Sequence, residues 1–182
     1  DRKAQFDAVM KAHGLFGDMS KLVDRIDAIR KEADTRTNSL GSDGAELAKK
    51  LHAAIDKLDE VKRKIVATKE GGAITGEERI REHLDIVYGA LARWEGRPAK
   101  YQVDRVETLR KELAEVAKDL DDVIAKDIKP LDAELKAHKL DPIPTVGLLS
   151  VPASLDEDTV RCIITDGEEC HAADEAAAEN DR

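Results

Sequence analysis

An apolar side chain returns every three or four positions through four separate stretches of this chain. That rhythm matches the 3.6-residue turn of an α-helix and points to packed helices. The cleanest stretch, Val106, Leu109, Leu113, Val116, Leu120 and Val123, falls on one side of a helix. An earlier one runs through Phe6, Val9, Met10, His13, Phe16, Met19, Val23, Ile26 and Ile29, with its phase kept across Gly14 and Gly17. It predicts a single helix over roughly 2–34. Each of the two glycines weakens the helix by about 1 kcal/mol relative to alanine, so a kink is expected there if anywhere. The polar stretch TRTNSLGSDG, residues 35–44, reads as a turn.

A second helix opens at Ser42 or Asp43, where Asp43 and Glu46 have the spacing of a reciprocal cap. Its stripe is Leu47, Leu51, Ile55, Leu58, Val61 and Ile65, and it ends before Gly71 and Gly72. Thr75 and Glu78 repeat the capping pattern ahead of a third, shorter helix with Ile80, Leu84, Val87, Leu91 and Trp94 inward and Gly96 at its end. Pro98 suits the first turn of a fourth helix over about 98–128, because its missing N–H has no helical partner to lose. Pro130 then starts a further turn or two carrying Leu131 and Leu135. Short connections predict antiparallel neighbours. The expected fold is all-α, an antiparallel up-down four-helix bundle over 1–140, its longest helix about 50 Å at 1.5 Å per residue.

The composition agrees. Aromatics are 3% of the 182 residues and charged residues 38%, which suits amphipathic helices and starves a β-sandwich. Of the net charge of -9, the last 32 residues hold -8, from ten Asp or Glu against two Arg. The bundle is therefore near neutral and the tail acidic. Neither offers the basic stripe that a phosphate backbone or an anionic membrane surface requires. No apolar run reaches the ~18 residues of a membrane span. The chain opens at Asp1 without the charged start and apolar middle of a signal peptide, and so reads as a mature piece or an excised domain.

After Leu140 the character changes. Residues 141–158 contain three prolines and many apolar side chains, including Leu148, Leu149 and Val151. They read as an extended strap laid on a hydrophobic surface. In the acidic tail, 159–182, an Asp-Gly turn between two short runs signals a hairpin. Cys162 and Cys170, the two cysteines of the chain, suit a disulfide closing that hairpin and an oxidising compartment. A metal site using both cysteines and His171 lacks a fourth ligand, and two free thiols are the remaining alternative.

No reactive constellation emerges. A carboxylate-bridged metal centre in a bundle needs Glu-x-x-His pairs on two helices, and the one match, Glu168 with His171, lies in the tail. His13 falls in phase with an apolar stripe and reads as a hydrogen-bonded core or boundary histidine; His52 and His83 read as surface residues. There is no Gly-x-Ser-x-Gly elbow and no phosphate-cradling glycine loop. No carboxylate pair stands out as glycosidase machinery. No catalytic, cofactor-binding or metal residue is assigned. Tyr88, Trp94 and Tyr101 cluster around the third connection. There they plug the bundle end as core, the commoner outcome, or anchor a protein partner together with Leu148, Leu149 and Val151 of the strap.

Residues 1 to about 144 also carry a resemblance. The opening DRKAQFDAVMKAHGLFGDMSKLVDRIDAIRKE and the run from LARWEGRPAKYQ to LKAHKLDPI resemble the C-terminal helical region of large bacterial secreted proteins with sortilin-type, sialidase-like β-propellers, often labelled glycosyl hydrolases. The pattern is carried by Gln5, Phe6, Arg25, Ile26, Arg30, Pro98, Gln102, Leu109, Leu113, Asp127, Pro130, Leu131 and Pro142. The resemblance implies an accessory module behind a propeller in an exported, extracytoplasmic protein. The propeller's catalytic residues have no positions here to be carried onto, and the tail after Thr145 lies outside the likeness. The expected function is thus a non-catalytic structural or interaction module. The alternatives are a part of a glycosyl hydrolase-like enzyme that supports the propeller site, and a metal-binding bundle.

Overall fold

The structure, a computed structural model, describes residues 1–67 and 77–145. These residues all belong to one compact unit. They are helical, with no strand among them: α1 is Arg2–Ser39, α2 Ala45–Ile65, α3 Ile80–Arg93, α4 Lys100–Val123 and α5 Asp132–Ala137. Gly71, Gly72 and Thr75, the cysteine hairpin with Cys162 and Cys170, and the strap residues Leu148, Leu149 and Val151 lie outside the described residues.

α1 runs unbroken for 38 residues. A Cβ built at Gly14 or Gly17 meets nothing within 4 Å, so these glycines sit on an open face and no close contact requires them. The helix also continues through the expected turn as far as Ser39. Hydroxyls of Thr35, Thr37 and Ser39 donate to the carbonyls of Lys31, Ala33 and Thr35 at 2.8–2.9 Å, the i−4 bonding that satisfies such hydroxyls within a helix. α2 is entered through a short 3-10 turn, Ser42–Gly44, and no side-chain cap bond forms there, so the Asp43–Glu46 cap is not made. α3 starts five residues after Thr75. Its capping carboxylate is Glu82, which accepts the Arg79 backbone N–H at 3.0 Å, rather than Glu78. Gln102 does the same for Ala99 at 2.9 Å and opens α4.

Cross-helix pairs give the directions. Arg30 meets Asp59 at 2.9 Å and Lys62 meets Asp27 at 2.6 Å, so α2 runs antiparallel to α1 along its C-terminal half. Gln5 donates to the Leu91 carbonyl at 3.3 Å and Phe16 stacks edge-on against Tyr88, so α3 is also antiparallel to α1, along its N-terminal half. α2 and α3 therefore share one column and one direction. Lys50–Glu134, Lys57–Asp127 and Lys64–Asp119 run α4 and its continuation antiparallel to α2. Lys11–Glu107 and Arg25–Asp121 make it parallel to α1. The four rods expected in up-down order are thus packed as three columns, because α1 is long enough to span α2 and α3 in succession.

The third column survives Pro130 by changing pitch. A π turn, Ile124–Ile128, and a 3-10 turn, Lys129–Leu131, link α4 to α5. The wider turn adds the residue that keeps Leu120, Ile124, Ile128, Leu131 and Leu135 all buried. It also leaves Val123, expected in the core, at the boundary. Beyond α5 the chain reverses at Lys139, whose φ is 61°. Leu140 N–H then bonds the Leu135 carbonyl at 2.9 Å, closing the helix end.

Candidate functional site

The predicted inner residues of α2 are all buried. The first half of α1 differs. Its core face is Ala8, Ala12 and Leu15, while Phe6, Met10 and His13 point to solvent. Small alanines let α3 and α4 close on this stretch of α1, and the bulky side chains are turned outward. His13 is therefore a surface histidine, not the core or boundary residue that its phase suggested. Phe16 stays at the boundary on Tyr88, the two rings 5.6 Å apart and perpendicular.

The outcome at the third connection is an exposed aromatic end. Trp94 is 60% exposed, Tyr101 73%, Phe6 63% and Met10 48%. Trp94, Tyr101 and Phe6 belong to the same end of the bundle, since Gln5 also donates to the Trp94 carbonyl and α4 begins beside the start of α1, although Phe6 and Met10 lie on the α1 face turned away from α3 and α4. Of the expected bundle plug only Tyr88 is part-buried; Trp94 and Tyr101 do not enter the core. The Trp94 indole instead folds back over Gly96, where an added Cβ would come within 2.6 Å of Nε1. Three of the chain's five aromatic rings thus face solvent at one end. Phe6 was hidden from sequence reading by its good stripe phase.

Two clefts follow the α1/α4 junction. One of about 550 Å³ lies at the aromatic end, between Ala4 and Ala8 on one side and Pro98 and Val103 on the other. The second, of about 460 Å³, runs from Leu15 to Arg25 on α1 and from Arg110 to Ala117 on α4. The strap enters just above it. Arg36 donates to the carbonyls of Asp141 and Pro142 at 2.9 and 3.0 Å, Arg25 to that of Thr145 at 3.1 Å, and Ile143 is buried between.

Electrostatics single out structural pairs. Arg30 has its pKa raised, first by the hydrogen bond to Asp59 and then by that carboxylate's charge. Lys126 is raised by its hydrogen bond to Asp122. Both cations keep their protons across the neutral range; Arg30 joins α1 to α2, while Lys126 and Asp122 are an exposed pair one turn apart on the same column. Among the described residues no group of three or more His, Cys, Asp or Glu is gathered to hold a metal ion, and no helix is long and apolar enough to cross a membrane. No family model matches the chain, and neither a curated protein nor a solved structure matches it.

Proposed function

We propose that this chain is a non-catalytic interaction module that packs its aromatic end against a neighbouring folded domain, the β-propeller of a larger exported protein. The observation that carries the reading is the exposure of Phe6, Trp94 and Tyr101 at one end of a bundle whose core is otherwise aliphatic. Large rings at a folded surface are the side chains that dominate protein interfaces. In the resemblance the propeller precedes the helical region, which puts it at the end where α1 begins and these rings stand. The same resemblance supports an extracytoplasmic location.

The test starts with the reading frame upstream of Asp1. Where it encodes propeller blades, the propeller and this module are produced as separate chains and titrated by calorimetry. Binding that Trp94→Ala with Tyr101→Ala weakens by at least about 30-fold, the scale of an interface hot spot, supports the proposal. An upstream frame without blades, or affinity indifferent to the double substitution, contradicts it.

A further inference from the structure

The first half of α1 carries two stripes on opposite sides. The inner one, Ala8, Ala12, Leu15, Met19 and Leu22, is buried. The outer one runs through Arg2, Phe6, Met10, His13, Gly17, Ser20 and Asp24, and every residue on it is exposed. From Phe6 onward its members stand alternately four and three residues apart, the heptad spacing by which one helix seats against another. Two features of this stripe have no explanation within one molecule. Phe6 and Met10 hold large apolar side chains in water. Gly17, with Gly14 beside it, weakens the helix at a place where a Cβ would touch nothing.

Large and small residues share one seam, in an order that a two-fold axis turns onto itself. A second α1, laid antiparallel against this stripe with His13 at the axis, brings its Gly17 to Met10 and its Ser20 to Phe6. Each large side chain then has a hollow before it. The ends match in charge, because Arg2 meets Asp24 of the other copy, and neither has an ion pair within its own chain among the described residues. Other pairings are poorer. Shifting the register by about one turn, so that Phe6 meets Gly17, sets Arg2 beside Lys21 of the other copy. A parallel two-fold pair sets Phe6 on Phe6, Gly17 on Gly17 and Asp24 on Asp24.

We propose that the chain forms a two-fold dimer with a second copy of itself through the outer face of α1 between Arg2 and Asp24. The seam belongs to α1 alone. Trp94 and Tyr101, on which the propeller reading is tested, stand on other elements, so the two readings share Phe6 and nothing else. A single helix pair falls below the roughly 1,200 Å² at which standard interfaces begin, so the dimer is weak and concentration-dependent.

Sedimentation velocity of the full chain in reducing buffer, from about 5 μM to about 1 mM, reads the association, and a monomer–dimer equilibrium with a Kd of about 10–300 μM is expected. Gly17→Leu fills the hollow and is expected to weaken the dimer at least about tenfold. Position 17 faces open space in the monomer, and circular dichroism at the lowest concentration checks that the variant is folded. Arg2→Asp and Asp24→Arg are each expected to weaken the dimer at least about threefold, while the double variant recovers the parent affinity, because the reversed charges meet again across the axis. A monomer throughout the concentration range overturns the proposal. A dimer indifferent to Gly17→Leu uses another surface and overturns it too, as does a double variant that recovers nothing.

Discussion

Arg25 Nε donates to the carbonyl of Thr145, 120 residues later, at 3.1 Å, while its Nη1 lies 3.1 Å from Asp121 Oδ1. One guanidinium therefore ties α1 to both α4 and the strap. Beside it Ile143 is 4% exposed and supplies the apolar anchor. Deleting a buried isoleucine side chain to its Cβ costs about 2–5 kcal/mol, whereas a charged hydrogen bond is worth about 1.5–3 kcal/mol, toward the lower figure for the part-exposed Arg25. Urea denaturation is expected to rank Ile143→Ala as the more damaging. A cost for Ile143→Ala below about 0.5 kcal/mol, the usual range of surface changes, would show that the strap is not seated.

Gly14 and Gly17 lie in the middle of α1 with open space where a side chain would stand. Alanine at either position is expected to raise stability by about 0.5–1 kcal/mol, through helix propensity and a less flexible unfolded chain. Loss of stability on both changes would mean that the helix is broken at this point.

Lys139 carries the left-handed conformation that ends α5, a geometry disfavoured by its Cβ. Lys139→Gly is expected to stabilise by roughly 0.5–1 kcal/mol, reduced where the freer unfolded chain opposes it. Thermal unfolding reads the difference, and a lower midpoint contradicts the turn.

At the aromatic end, Gly96→Ala puts a methyl group against the indole of Trp94. The ring is exposed and free to swing, so the expected stability change is within about 0.5 kcal/mol. Because Trp94 is the single tryptophan, its fluorescence reports the swing directly. An emission spectrum identical to that of the parent would show that the indole does not lie over Gly96.

What was legible in the chain was its helical content and the inner faces where every turn offers one large aliphatic residue. Leu47, Leu51, Ile55, Leu58, Val61 and Ile65 are all buried as their spacing predicts. In α1 two faces compete, and periodicity alone favoured the bulkier one, Phe6, Met10 and His13, over Ala8 and Ala12. Which face wins depends on how closely α3 and α4 approach, a property of the packed state. Direction was equally hidden: a short connection suggests reversal, but α2 and α3 follow one another along a single long partner. The aromatics of the third connection were visible as residues, yet the exposure of Trp94 goes with its folding over Gly96 outside the core.

The three-column arrangement is tested most directly by one distance. His52 on α2 and Ala90 on α3 are both exposed and accept spin labels as His52→Cys and Ala90→Cys, in a chain with Cys162→Ser and Cys170→Ser. With α2 and α3 laid in succession along α1, pulsed electron resonance is expected to give about 40 Å, from 1.5 Å of rise per residue along α1. A separation of about 10–15 Å, the spacing of labels on helices folded back against each other, would contradict the account.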